Sequence, residues 1–447
     1  MNSKNISYKD TIAIGLMLFA LFFGAGNLIF PPALGQASGT SFWPAIIGFL
    51  LTGVGLPLLG VLAIGLSGHE HLQSLANKIN PTFSLVFTVI LYLSIGPFFA
   101  IPRTATISYE IALLPFLSEV SGKFNTIGLL IFSIVFFTIV GWLSLNPNKI
   151  VGRIGKVLTP LLLTLILILL VVTLINPLDK PLAPIDGYTD NAFFKGFQEG
   201  YLTMDTLAAF VFGIIVINAI KDKGVTSKKG IAKATLQAGA IAAGALGLIY
   251  LGLGYLGSTT NFEGNGGAIL TSAANAHFSI YGNLILGLAV LFACLTTAIG
   301  LITACASYFS NMFPRYSYKT LAIVFTIFSA AIANVGLNQL ITISVPVLVA
   351  IYPLAIVLIF LTFADPLYKG RLEVYRWSLL FTGIVSVVDG IKAAGIPLEG
   401  LYNFFGQYIP LFNAGMGWLV PALVGVVIGY VISSIRKSDP TSLNKAS

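Results

Sequence analysis

The residues able to do chemistry in this chain are few, and they sit where polar groups are expensive. In FFKGFQEGYLTMDTLAAFVFG, the charged residues Lys195, Glu199 and Asp205 come just before the apolar run from Leu207 to Ile217. A charged side chain at bilayer depth costs roughly 2.5–3.5 kcal/mol on insertion, so a carboxylate kept there is a functional candidate. Asp205 could attract an ammonium group, hold a cation or carry a proton; it could also pair with Lys195 or Arg103 merely to orient helices. Tyr201 and Thr203 share its stretch of expected backbone irregularity, and Glu199 suits an outer mouth. Arg103, which follows Pro97 and Pro102, could line an outer pathway or pair with Glu110.

A second irregularity is uncharged. The run LFALFFGAGNLIFPP, residues 18–32, carries Gly24 and Gly26 inside a segment long enough to cross a membrane. Each glycine weakens a helix interior by roughly 1 kcal/mol relative to alanine. In hydrocarbon, a freed N–H or C=O must be satisfied by protein, an ion or cavity water. A break at Gly24-Ala25-Gly26-Asn27 would create a helix N-terminus whose N–H groups favour an anion such as a carboxylate. The half-helix before it would end in unsatisfied carbonyls, around Ala20 and Phe23, that suit a cation. A simpler use of the two glycines is close helix approach.

A third pattern, LFACLTTAIGLITACASY, places Ala293, Thr296 and Thr297 at i, i+3 and i+4 on one helical face. One carbonyl and two hydroxyls there suit a small hard cation such as sodium, although membrane threonines also bond carbonyls of their own helix. His69-Glu70-His71 lacks the i, i+4 spacing of a zinc helix and reads as a solvated turn. No zinc pattern, phosphate-binding loop or nucleophile elbow is present, so neither an enzyme nor a resident cofactor is expected. Cys294 and Cys305 are eleven residues apart on one predicted helix, too far for a disulfide.

The elements that must position these residues follow from composition. Of 447 residues 56% are hydrophobic and 9% charged, with mean hydropathy +0.92, against roughly 25% charged in soluble domains. The chain therefore reads as an all-α polytopic membrane protein, one transporter domain over 1–447, with about 12 transmembrane helices. The runs are 11–32, 43–66, 83–105, 125–143, 151–175 and 193–220, then 231–256, 283–309, 319–335, 339–363, 374–394 and 415–435. Between the seventh and eighth, a Gly- and Ala-rich stretch within 257–282 suits a short surface helix capping a pathway. All but five of the 24 Lys and Arg fall on one side, the exceptions being Arg103, Lys123, Lys180, Lys195 and Lys392. By the positive-inside rule both termini are cytoplasmic, and the net charge of +8 reflects topology and anionic lipid rather than nucleic acid.

Spans one and six, the two that carry breaks, are five apart. That is the offset of two five-helix repeats, over 11–175 and 193–363, with two additional helices over 374–435. An odd number of spans per repeat makes the second copy inverted, and matched interruptions in two halves point to a transporter site.

GAGNLIFPP in span one and EGYLTMDTLA in span six resemble the branched-chain amino acid:cation symporters, the LIVCS family of BrnQ-type carriers, and the resemblance covers nearly the whole chain. It implies import of leucine, isoleucine and valine with sodium or protons across a bacterial cytoplasmic membrane. It also implies the LeuT-type architecture, a 5+5 inverted repeat with broken helices 1 and 6, since GAGN is similar to that fold's GLGN. By that resemblance Gly24, Ala25 and Gly26 hold the substrate carboxylate, Tyr201 and Thr203 close the other side, and Asn27 contributes to a second cation site. The common sodium site of the fold maps to Ala20, Phe23, Ala293, Thr296 and Thr297. Span three lacks a paired-tyrosine motif and offers only Tyr92 or Ser94. The expected partners are an amino acid, a coupling cation and the lipid bilayer, with no nucleic acid and no obligatory protein partner. Set against symport by alternating access are a passive channel or facilitator and a carrier for another small neutral amino acid.

Overall fold

The computed structural model describes residues 6–67, 79–117, 123–145, 159–185, 187–262 and 264–436. Among them every regular element is helical, and each of the twelve apolar runs falls on a helix or a broken helix. The turn at His69, Glu70 and His71 and the start of the fifth run, residues 151–158, lie outside the described residues. Among the described residues, seven helical stretches are long and apolar enough to cross a membrane singly, and the bent pair of span six makes an eighth. Span four, Lys123–Ser144, turns Ile131, Ile134, Val135 and Trp142 outward, an apolar face suited to lipid.

Span one consists of Tyr8–Phe22 and Ala25–Ser38. Ser7 starts it, its Oγ accepting the Asp10 N–H at 3.1 Å. Phe23 and Gly24 are extended, so the helix stops and restarts within three residues. The restart is capped from inside, where Asn27 Oδ1 accepts the Gly24 N–H at 3.1 Å.

Span six breaks by a different route. The helix Ala192–Glu199 tightens into a 3-10 turn over Gly200–Thr203, and Met204 takes left-handed dihedrals (φ 64°, ψ 8°) before Asp205–Asp222 begins. The two halves meet at a bend of 44°. A left-handed non-glycine residue costs roughly 1–2 kcal/mol, which the surrounding packing must offset.

Backbone-to-backbone contacts fix the second half of span one and the first half of span six. A Cβ on Gly35 would strike the Gly254 carbonyl and one on Gly257 the Pro32 carbonyl, which locks span one onto span seven, Lys228–Ser258. Gly196 abuts the Ala45 carbonyl and Gly48 the Phe193 carbonyl, which locks span six onto span two. In lipid such small-residue crossings take over from the hydrophobic effect in holding helices together.

Span eight, Gly266–Met312, is interrupted at Ser279 (φ 54°, ψ −146°). The helical segment before that point falls within 257–282, where a short surface helix is expected. Its first residue, Gly266, lies against the Ile29 carbonyl, so it covers the second half of span one.

Candidate functional site

The two breaks face each other. A Cβ on Gly26 would lie 3.2 Å from the Leu202 carbonyl oxygen and 3.3 Å from the Thr203 Cα, so the span-one break touches the irregular backbone of span six. On its other side, a Cβ on Gly24 would lie 2.7 Å from the Thr297 Oγ1 of span eight. The glycines therefore serve close approach, and the approach itself brings the reactive groups together.

Between the breaks is a buried cavity of about 30 Å³, room for one or two water-sized molecules and far less than a leucine. Its wall includes Gly24, Ala25, Gly26, Asn27, Thr203, Asp205 and Thr297 from the sequence reading. Ile95, Ala100, Ala208, Phe212 and Leu301 supply apolar surface, which the motifs did not single out.

Asp205 is 2% exposed and begins the second half of span six. Its Oδ2 accepts from Asn27 Nδ2 at 2.6 Å and from Tyr250 OH at 2.7 Å, and Asn27 also contacts the Tyr250 hydroxyl. Its backbone N–H points to Thr203 Oγ1 at 3.4 Å. Pairing with Lys195 or Arg103 is not what holds it: Lys195 pairs with Glu199 at 2.9 Å, and Arg103 bonds Leu202 and Ser344. The expected Arg103 to Glu110 pair is likewise not made, since Glu110 accepts from Asn265 at 3.0 Å. Asn27 thus ties the breaks together, accepting at Gly24 and donating to Asp205.

The oxygens expected for a cation also converge. Thr296 Oγ1 lies 2.8 Å from the Ala293 carbonyl and 3.4 Å from the Ala20 carbonyl. Thr297 Oγ1 lies 3.4 Å from the Leu21 carbonyl and 3.5 Å from that of Phe23. Thr296 does bond its own helix, as membrane threonines do, whereas Thr297 reaches across to span one. Leu21 is the oxygen donor the sequence reading missed; carbonyls ending a broken helix carry no side-chain signature. The six oxygens are all uncharged, a set that suits a hard monovalent cation.

Tyr201 is placed elsewhere. It is buried against Tyr352, ring centroids 4.4 Å apart, and borders a separate cavity of about 400 Å³ beside Gln198, Asp389, Lys392 and Trp418. At three residues per turn, positions two apart point about 120° apart, so Tyr201 and Thr203 do not share a face of the 3-10 turn. Only Thr203 lines the wall between the breaks, and the pairing that the resemblance implied is not formed. Asp389 and Lys392 lie near the end of span eleven, Leu372–Ala393.

Residues 7–436 match the family described as "Branched-chain amino acid transport protein". The chain belongs to that family. It is 52% identical over 438 residues to the branched-chain amino acid permease BrnQ of Bacillus subtilis (strain 168), covering 97% of this chain and 99% of that one. The permease BraB of the same organism is also 52% identical, over 96% of each chain. The branched-chain amino acid transport system 2 carrier protein of Pseudomonas aeruginosa is 43% identical, over 94% of this chain and 95% of its own. These relatives are transporters, and so is this chain; it is no enzyme.

Two solved structures share its fold. Mhp1, a nucleobase-cation-symport-1 family transporter in a closed conformation with bromovinylhydantoin bound, matches at TM-score 0.61 and 13% identity, over 95% of this chain and 93% of its own. MhsT in complex with L-phenylalanine matches at TM-score 0.58 and 15% identity, over 97% and 99%. The fold of this branched-chain transport family member is thus the LeuT type, with helices one and six broken.

Proposed function

We propose that this protein imports branched-chain amino acids by cation-coupled symport across a bacterial cytoplasmic membrane, with both termini cytoplasmic. The observation that carries the reading is the convergence of three kinds of group on the space between the two breaks. The N–H groups that start the second half of span one, at Ala25 and Gly26, can donate to a carboxylate, Asp205 accepts an ammonium, and the Ala20, Phe23, Ala293, Thr296 and Thr297 oxygens accept a cation. The names of the relatives support leucine, isoleucine or valine as the solute. Apolar walls at Ile95, Ala208 and Phe212 suit such side chains.

In this reading spans one to five and six to ten are two inverted halves that rock about the breaks, and spans eleven and twelve lie outside the repeat. The contracted cavity must open to admit solute and closes over it. Solute and cation together stabilise the closed state more than either does alone, which is the differential binding that coupling requires. Thr297 serves both steps, since it touches the cation oxygens and Gly24 at once.

The two coupling ions have separate addresses. The oxygen cage has no titratable side chain, so it serves sodium; proton coupling would run through Asp205, the carboxylate on the cavity wall. Leucine uptake into proteoliposomes, with sodium and proton gradients imposed one at a time, tests this. Accumulation above equilibrium is expected with one gradient and not without it. Equilibration at the same level under every condition would mean a facilitator and overturn symport.

A further inference from the structure

Arg103 is a charged residue on the cavity wall that the site so far leaves without a task. It is 2% exposed in span three, and its guanidinium lies 5.3 Å from the ring centre of Phe30. One terminal nitrogen donates to the Leu202 carbonyl at 2.9 Å and the other to Ser344 Oγ at 2.7 Å. Both acceptors are neutral. Its Nε–H is buried without a partner, and among the described residues no carboxylate pairs with it.

A buried guanidinium offers five donors in a rigid plane and is costly to keep without an anion. Asp205 lines the same cavity, yet its Oδ2 is taken up by Asn27 and Tyr250. The wall therefore holds one cationic and one anionic side chain that do not neutralise each other. It also holds the free helix start at Ala25, a second attraction for negative charge.

We propose that Arg103 is the counter-charge for the solute's α-carboxylate, so that the cavity selects zwitterions over amines. This rests on the proposed reading of an amino acid between the breaks. The carboxylate is held between the N–H groups at the helix start, Ala25 and Gly26, and Arg103, and the ammonium lies toward Asp205. Because Arg103 also grips Leu202 at the span-six break, the arriving carboxylate links span one, span three and span six. Closure is thereby tied to a solute that carries the correct charges at both ends.

The alternative is that Arg103 only braces Leu202 and Ser344. Binding of leucine and of leucinamide, which keeps the ammonium and lacks the carboxylate, separates the two. In the purified wild-type protein leucine is expected to bind about 100-fold more tightly than leucinamide, the scale of a buried hydrogen-bonded charge. In Arg103→Gln the leucine affinity falls by about that factor while leucinamide stays within about threefold, so the preference collapses. Arg103→Lys keeps a charge where the glutamine variant fails to fold; it should lose about tenfold on leucine, through loss of the planar fork, and again spare leucinamide. Equal losses on both ligands in either variant would make Arg103 a brace and overturn the proposal. Wild-type protein that binds no leucine would instead overturn the functional reading on which it rests.

Discussion

The breaks in spans one and six solve one geometric problem with opposite chemistry. The first is made by glycine: extended Phe23 and Gly24 free a helix start that carries no charge, and its own Asn27 caps it. The second is made by a left-handed methionine and opens on a carboxylate, Asp205. Two helix starts thus face one cavity, one electropositive and bare, the other already bearing an anion. A solute with a carboxylate at one end and an ammonium at the other is complementary to that pair; a simple anion or a simple cation meets only half of it. The span-one break also leaves its preceding carbonyls to span eight, which puts the proposed cation site on the span-one side alone.

The largest effect should come from filling the gap between the breaks. In Gly26→Leu the first added carbon already meets Leu202 and Thr203 at 3.2 and 3.3 Å, and three further carbons have no space. Leucine uptake in proteoliposomes is expected to fall by about 100-fold or more, from overpacking and a blocked carboxylate seat together. Normal uptake would show that the breaks do not enclose the solute.

Asp205→Asn keeps the shape of the second break and removes its charge. Leucine affinity should drop about 10- to 100-fold, as expected for loss of a buried charge-assisted contact. If sodium is the coupling ion, its gradient should still drive the residual uptake. If protons are, coupling disappears altogether.

How much of this was readable beforehand differs between the breaks for a physical reason. Glycines within an apolar run violate helix propensity and lipid solvation at once, so GAGN was visible as a break, and ACLTT placed three oxygens on one face. The pivot of span six is Met204, whose side chain prefers a helix; no propensity marks it, and only the neighbouring charge located the region. The resemblance assigns Tyr201 to the solute, whereas the 3-10 turn directs it to a different cavity from Thr203. Arg103 was noticed as a charge, but its partners are a backbone carbonyl and a serine from distant spans, which spacing cannot reveal.

Smaller effects sharpen the asymmetry. Thr297→Ala removes one hydroxyl from the cation oxygens and should raise the cation concentration for half-maximal uptake by about five- to tenfold, near 1 kcal/mol. An unchanged cation dependence would detach the cage from coupling. Tyr201→Phe, which alters a group outside the wall between the breaks, should leave leucine affinity within about twofold. A tenfold loss would restore it to the solute site.

An experimental structure with L-leucine bound tests the central claim most directly. The two-break account predicts the carboxylate about 3 Å from the N–H groups at the start of Ala25–Ser38 and the ammonium beside Asp205, with the side chain toward Ile95 and Phe212. Leucine found instead in the larger cavity beside Asp389 and Lys392, with the Gly24 to Asn27 break still closed, would contradict it.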